Sequence, residues 1–172
     1  MMEAGKLYFF TATILDWQQL LKPNSCKQII IDCWQHFIDR HKLKIYAFVI
    51  MPNHYHVVWS IHHSKPEDIQ RDIHKWTARQ LISWLNANDV DRLNWLQVDA
   101  ADRIIQIWQR NPLPIELYSD KVIWQKIDYI HNNPCTERWN LVQYPEQYLY
   151  SSAKFYLMNE KNWEFLTHIA EV

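Results

Sequence analysis

Two extended runs separated by only two residues constrain this chain most. "KIYAFVIM" (44–51) and "HYHVVWSIH" (54–62) are rich in aromatic and β-branched residues, and only Pro52 and Asn53 lie between them. A connection this short suits a tight turn, and Asn tolerates the positive φ that many such turns use. Side chains alternate along a strand, so Tyr55, Val57, Trp59 and Ile61 share one face as an apolar stripe. His54, His56, Val58 and Ser60 share the other face. Both imidazoles therefore leave the apolar face together, with Cβ atoms roughly 6.5–7 Å apart from the strand rise.

The rest of the chain arranges itself around this pair. "KLYFFTATI" (6–14) reads as an earlier strand. "NSCKQIIIDCWQHFIDRH" reads as a helix, with Asn24 and Ser25 as cap candidates and Ile30, Trp34, Phe37, Ile38 and His41 at helical spacing. Pro66 opens a second helix carrying Ile69, Ile73, Trp76 and Trp84 on one face. "ADRIIQIWQR" (101–110) is expected to be a fourth strand, "NPLPIELYSD" a loop, and "KVIWQKIDYIHN" a last helix stopped by Pro134. The order β-α-β-β-α-β-α matches an α+β fold of the ferredoxin-like, split β-α-β type. It has an antiparallel sheet, helices on one face and an added C-terminal helix.

Composition narrows the function. The 172 residues, 48% hydrophobic and 22% charged, fit one globular domain with its core at about 6–156. No apolar run approaches the roughly 20 residues that cross a membrane. "MMEAGKLYFFTATI" has no secretion-signal pattern, so a cytoplasmic protein with reduced cysteines is expected. The net charge of −1 is low for a nucleic-acid binder and requires that basic residues be segregated locally. Arg71, Lys75 and Arg79 repeat every four residues along the second helix. They form either a stripe that tracks a DNA backbone or an ordinary solvated face.

Two constellations carry chemistry. An H-x-H on one strand face can converge on a single metal ion, given a third ligand from elsewhere; the alternative is two ordinary histidines near a strand end. On the last helix, Ile123, Ile127 and Ile130 fall within about 60° of arc, and Tyr129 points about 120° from the middle of that stripe. Tyr129 is thus presented rather than packed, with Lys126 one turn before it and Asn133 one turn after. It is either a surface tyrosine or a nucleophile whose phenol a metal or base activates. Asn133 precedes Pro134, which disfavours helical geometry, so it is expected at or just past the helix end.

"YAFVIMPNHYHVVW", followed by "YIHNNP" and then "Y…YSSA", resembles the REP-associated tyrosine transposases, a branch of the single-tyrosine HUH transposases of bacterial insertion sequences. The resemblance runs from the first strand to about Tyr156. It implies that His54 and His56 hold a divalent ion, that Asn133 completes the metal site, and that Tyr129 is the nucleophile. It also implies a ferredoxin-like fold and a transesterification on single-stranded hairpin DNA through a 5′-phosphotyrosine link. The implied cofactor is Mg²⁺ or Mn²⁺, although the ligand chemistry alone points toward Mn²⁺ or Zn²⁺. A monomer and a homodimer, which can exchange the tyrosine helix, are both compatible with it. "CTE" (135–137) departs from the family pattern by placing Glu137 where small and basic residues are usual. Two other classes stay open: a hairpin DNA-binding module without turnover, and a zinc hydrolase on His54 and His56. The hydrolase lacks a carboxylate placed as general base and leaves Tyr129 without a role.

Overall fold

The computed structural model describes residues 1–100, 103–110 and 112–172. β1 (Leu7–Thr13) leads through α1 (Asn24–Ile38) to β2 (Leu43–Ile50) and β3 (His54–Ile61), which pair antiparallel from Leu43–Ile61 to Ile50–Tyr55. The Met51 N–H closes the turn on the His54 C=O at 2.8 Å. Asn53 does not take a positive φ, contrary to expectation. That conformation falls at Gly5, Asp16, Trp17, His41, Asn140 and Asn159.

The expected fourth strand over 101–110 does not form as a unit. Residues 101 and 102 lie outside those described. After α2 (Pro66–Asn88) and the short α3 (Val90–Asn94), β4 (Gln97–Ala100) and β5 (Arg103–Ile105) make a separate two-stranded ribbon. The chain then runs along the continuation of β1, with the Leu15 N–H on the Ile107 C=O and the Gln109 N–H on the Thr13 C=O, both 2.8 Å. The fourth strand of the main sheet is β6 (Ile115–Glu116), inside the segment read as a loop. Two residues beside Pro114 are too short a run to show a period. The sheet order β2-β3-β1-β6, antiparallel at every pairing, is that of the ferredoxin-like split β-α-β fold.

Two cores lie on opposite faces of this sheet. Phe10, Phe48, Tyr55, Val57 and Trp59 pack beneath α1 and α2 against Ile30, Trp34, Ile69, Ile73 and Leu81. After Pro66, the buried residues of α2 recur every four as Ile69, Ile73, Thr77, Leu81 and Leu85, which leaves Trp76 at the rim, 37% exposed. α1 begins at Asn24 without a side-chain cap, and His41 lies beyond its end. Across the sheet, Leu7, Phe9, Ala47, Val49 and Val58 pack beneath α4 (Asp120–Asn132) through the expected stripe Ile123, Ile127 and Ile130. A register shift between Ile45 and Ala47 gives this face both Tyr46 and Ala47.

The aromatic tail is ordered. Residues 150–152 add to the free edge of β2: Ile50 N–H donates to the Tyr150 C=O at 2.9 Å and Ser152 N–H to the Phe48 C=O at 3.0 Å. This covers the Phe48–Ile50 end of the β2 edge, where backbone groups would otherwise be open to another strand. Ser152 Oγ also accepts from the Phe48 N–H at 2.9 Å and lies 2.8 Å from His131 Nε2 of α4, just ahead of α5 (Ala153–Leu157). Among the described residues, no helix is long and apolar enough to cross a membrane.

Candidate metal and nucleophile site

His54 and His56 occupy one face of β3, as alternation requires, but that face is not open to solvent. α4 and the segment after it roof the pair, and each histidine is only 5% exposed. The rings meet edge to face with centroids 4.6 Å apart. Burial, and secondarily the Arg138 guanidinium, pushes His54 down to about 4. Burial, then His54 and Lys126, pushes His56 down to about 3. Both are neutral near pH 7, the state in which imidazole binds a metal.

Their Nδ1 atoms are engaged. His56 Nδ1 lies 2.7 Å from Thr11 Oγ1 and His54 Nδ1 lies 2.7 Å from Asn53 Oδ1. His56 Nε2 is buried with no hydrogen-bond partner.

Tyr129 stands half exposed on α4, with its ring centroid 5.1 Å from that of His56 and 6.1 Å from that of Phe9. Lys126 flanks it, with Nζ 4.7 Å from the Phe9 ring centroid and 5.9 Å from that of Tyr129. Asn133 keeps helical backbone angles (φ −53°, ψ −45°) despite the following proline, and a 3₁₀ turn (Asn133–Cys135) continues from it. It is 6% exposed, and its Oδ1 is another buried atom without a partner.

His54, His56, Tyr129 and Asn133 line one cleft of about 350 Å³. Two orphaned buried ligand atoms, one nitrogen and one oxygen, together with a neutral His54, fit a divalent cation. Among the described residues no group of three His, Cys, Asp or Glu side chains could hold a metal ion, and the Asn133 amide, expected from the sequence as a ligand, brings a partnerless buried oxygen to the cleft.

Sequence reasoning missed the far wall. Trp17, Arg138 and Trp139 line the small cleft and also a larger neighbour of about 740 Å³. The Arg138 guanidinium lies 5.5 Å from the Trp17 ring centroid and 5.6 Å from that of Trp139, and Trp139 lies 5.7 Å from the His54 ring. Lys22 and Lys27 join this larger cleft, and none of the residues lining either cleft is a carboxylate. The near-neutral chain is therefore locally basic and aromatic at this site. Glu137 is exposed and lines neither cleft.

Arg71, Lys75 and Arg79 are exposed on α2, in the layer on the opposite sheet face from Tyr129. Arg71 pairs with Asp68 at 2.9 Å, and Arg71 and Lys75 border a separate cleft of about 490 Å³ between α2 and residues 105–110 with Pro112.

No protein-family model matches the chain, and no curated protein matches it. Solved structures do. A REP-associated tyrosine transposase bound to a REP hairpin is 19% identical, matching over 97% of this chain and 86% of that one with a TM-score of 0.64. A candidate transposase from Deinococcus radiodurans R1 is 16% identical over 76% of this chain and 97% of that one, with a TM-score of 0.48. The chain shares its fold, from the first strand through the tyrosine helix and the tail, with a REP-associated tyrosine transposase.

Proposed function

We propose that this chain is a metal-dependent DNA transposase or nickase that cleaves and rejoins single-stranded hairpin DNA through a 5′-phosphotyrosine at Tyr129. The observation that carries the reading is the meeting of Tyr129 with two partnerless buried ligand atoms, His56 Nε2 and Asn133 Oδ1, in one cleft. A fold shared with a transposase bound to a REP hairpin supports hairpin DNA as the substrate class. The carboxylate-free, aromatic cleft beside the site suits an unpaired strand, whose bases stack on rings and whose phosphates need cations.

Tyr129 Oη attacks the phosphorus of a phosphodiester, the bond to the 3′ oxygen breaks, and the phenolic proton ends on that oxygen. The products are a 5′-phosphotyrosine and a free 3′-hydroxyl. Attack by a 3′-hydroxyl reverses the step and returns the proton to Tyr129, so strands are rejoined without ATP. Lys126, beside the Tyr129 ring, sets a cation against the phosphate. Mg²⁺ or Mn²⁺ held by His54, His56 and Asn133 would supply Lewis-acid polarisation of the scissile phosphate. With two nitrogen donors, Mn²⁺ is the better chemical match.

The test is incubation of labelled hairpin single strands with protein and Mn²⁺, followed by denaturing gels. A covalent protein–DNA band that disappears in Tyr129→Phe is the expected result. A band that persists in that variant overturns the nucleophile assignment, and hairpin binding without any nicking assigns the chain as a binding module.

A further inference from the structure

The turn residue Asn53 has a role beyond turning the chain. It is 3% exposed, and its amide is fixed at both ends. Nδ2 donates to the Trp17 C=O at 3.1 Å, and Oδ1 faces His54 Nδ1 at 2.7 Å. Rotating the amide by 180° would set Oδ1 against the Trp17 carbonyl, two acceptors with no proton between them, so the orientation is forced. Oδ1 cannot donate. His54 Nδ1 must therefore carry the imidazole proton, and Nε2 must carry the lone pair.

The anchor is itself constrained. Trp17 has φ +57° and follows Asp16 at φ +51°, two adjacent residues in a region that bulky side chains avoid unless their surroundings hold them there. Backbone bonds fasten the same segment to the turn. Ile14 N–H donates to the Asn53 C=O and Leu21 N–H to the Pro52 C=O, both at 2.8 Å. His56 has no equivalent lock, because the Thr11 hydroxyl on its Nδ1 can donate or accept and so admits either tautomer.

We infer that Asn53 is a positioning residue, which relays the Trp17 carbonyl to His54 and locks that imidazole in the Nδ1–H tautomer with Nε2 free to ligate. The consequence for metal binding rests on the metal site proposed above, whereas the tautomer itself does not. Outer partners of this kind orient metal-binding histidines and change affinity by about 10–100-fold when removed.

The test begins on metal-free wild-type protein with ¹⁵N–¹H long-range correlation of the histidine rings. The expected spectrum assigns the His54 proton to Nδ1, and a proton on Nε2 overturns the inference without any variant. Asn53→Leu, nearly the same size but without an acceptor, is expected to shift the proton toward Nε2 and to weaken Mn²⁺ binding by titration calorimetry about 10–100-fold. Asn53→Asp restores the acceptor and is expected to restore the tautomer even where it costs stability. Leu and Asp variants with the same tautomer as each other overturn the role. A wild-type chain that binds no Mn²⁺ while His54 is protonated at Nδ1 refutes the metal reading and leaves the positioning intact.

Discussion

Acidification should unfold this protein earlier than its net charge suggests, because it holds one buried histidine, His131, and one partly buried histidine, His74, in the neutral form. His131 is 3% exposed on the buried side of α4, against Ser152 and the Tyr156 ring. His74 is held between Phe10 and Trp108, with Nε2 3.3 Å from Tyr55 Oη. Burial pushes each from the ordinary 6.5 down to about 4. A depressed folded value means that the unfolded chain takes up the proton first. The stability is therefore complete above pH 6.5 and is lost as the pH falls from there toward 4. At pH 5 each histidine costs about 2 kcal/mol, so the pair costs about 4 kcal/mol against a typical total of 5–15 kcal/mol. The assay is urea unfolding followed by tryptophan fluorescence at pH 7.5 and pH 5.0, in EDTA, for wild type and His74→Gln/His131→Gln. Lost packing affects the variant at both pH values, and His54 and His56 act alike in both proteins, so both contributions cancel in the difference. The double variant should lose about 4 kcal/mol less between the two pH values. A loss equal to that of wild type would refute the reasoning.

Other outcomes follow from the same geometry. Trp17→Ala should weaken single-strand binding by about 1–3 kcal/mol, measured by fluorescence anisotropy, if a base stacks on that ring. Arg138→Ala should weaken it across all sequences and reduce the slope of log affinity against log salt by about 1. Replacing Arg71, Lys75 and Arg79 together by Gln should lower hairpin affinity and flatten its salt dependence if the α2 stripe contacts the backbone. An unchanged salt slope identifies the stripe as a solvated face. Trp34→Ala, which empties a fully buried site under the sheet, should cost about 3–5 kcal/mol in chemical denaturation.

The parts of the site written in local periodicity were legible in the sequence. Period two placed His54 and His56 together on one face of β3, and period 3.6 separated Tyr129 from the isoleucine stripe that docks α4. What periodicity does not encode is which layer covers which face. The histidine face reads as outward because its residues are polar, yet α4 crosses it and buries both rings. Arg138 and Trp139 lie in an irregular stretch after Pro134, where no period announces a wall of the cleft. The signal that could have found them is an adjacent cation and indole just downstream of α4. Asn53 was assigned by turn propensity, which concerns its backbone, whereas its importance is in its side chain. β6 escaped because two residues carry no pattern, and residues 103–110 are shared between the ribbon with β4 and the continuation of β1, a division that no local pattern encodes.

The hydroxyl of Ser152 joins the edge strand, the tail and the tyrosine helix at one point. During synthesis, the hairpin that carries the histidines is finished by residue 61, but the helix that brings Tyr129 against it acquires this clasp only some 90 residues later. A nascent chain thus sets His54 and His56 on one strand long before Ser152 can fasten the helix that carries Tyr129 and leads into Asn133. Strand cleavage by Tyr129, as proposed above, would then wait for the tail as well as for the helix.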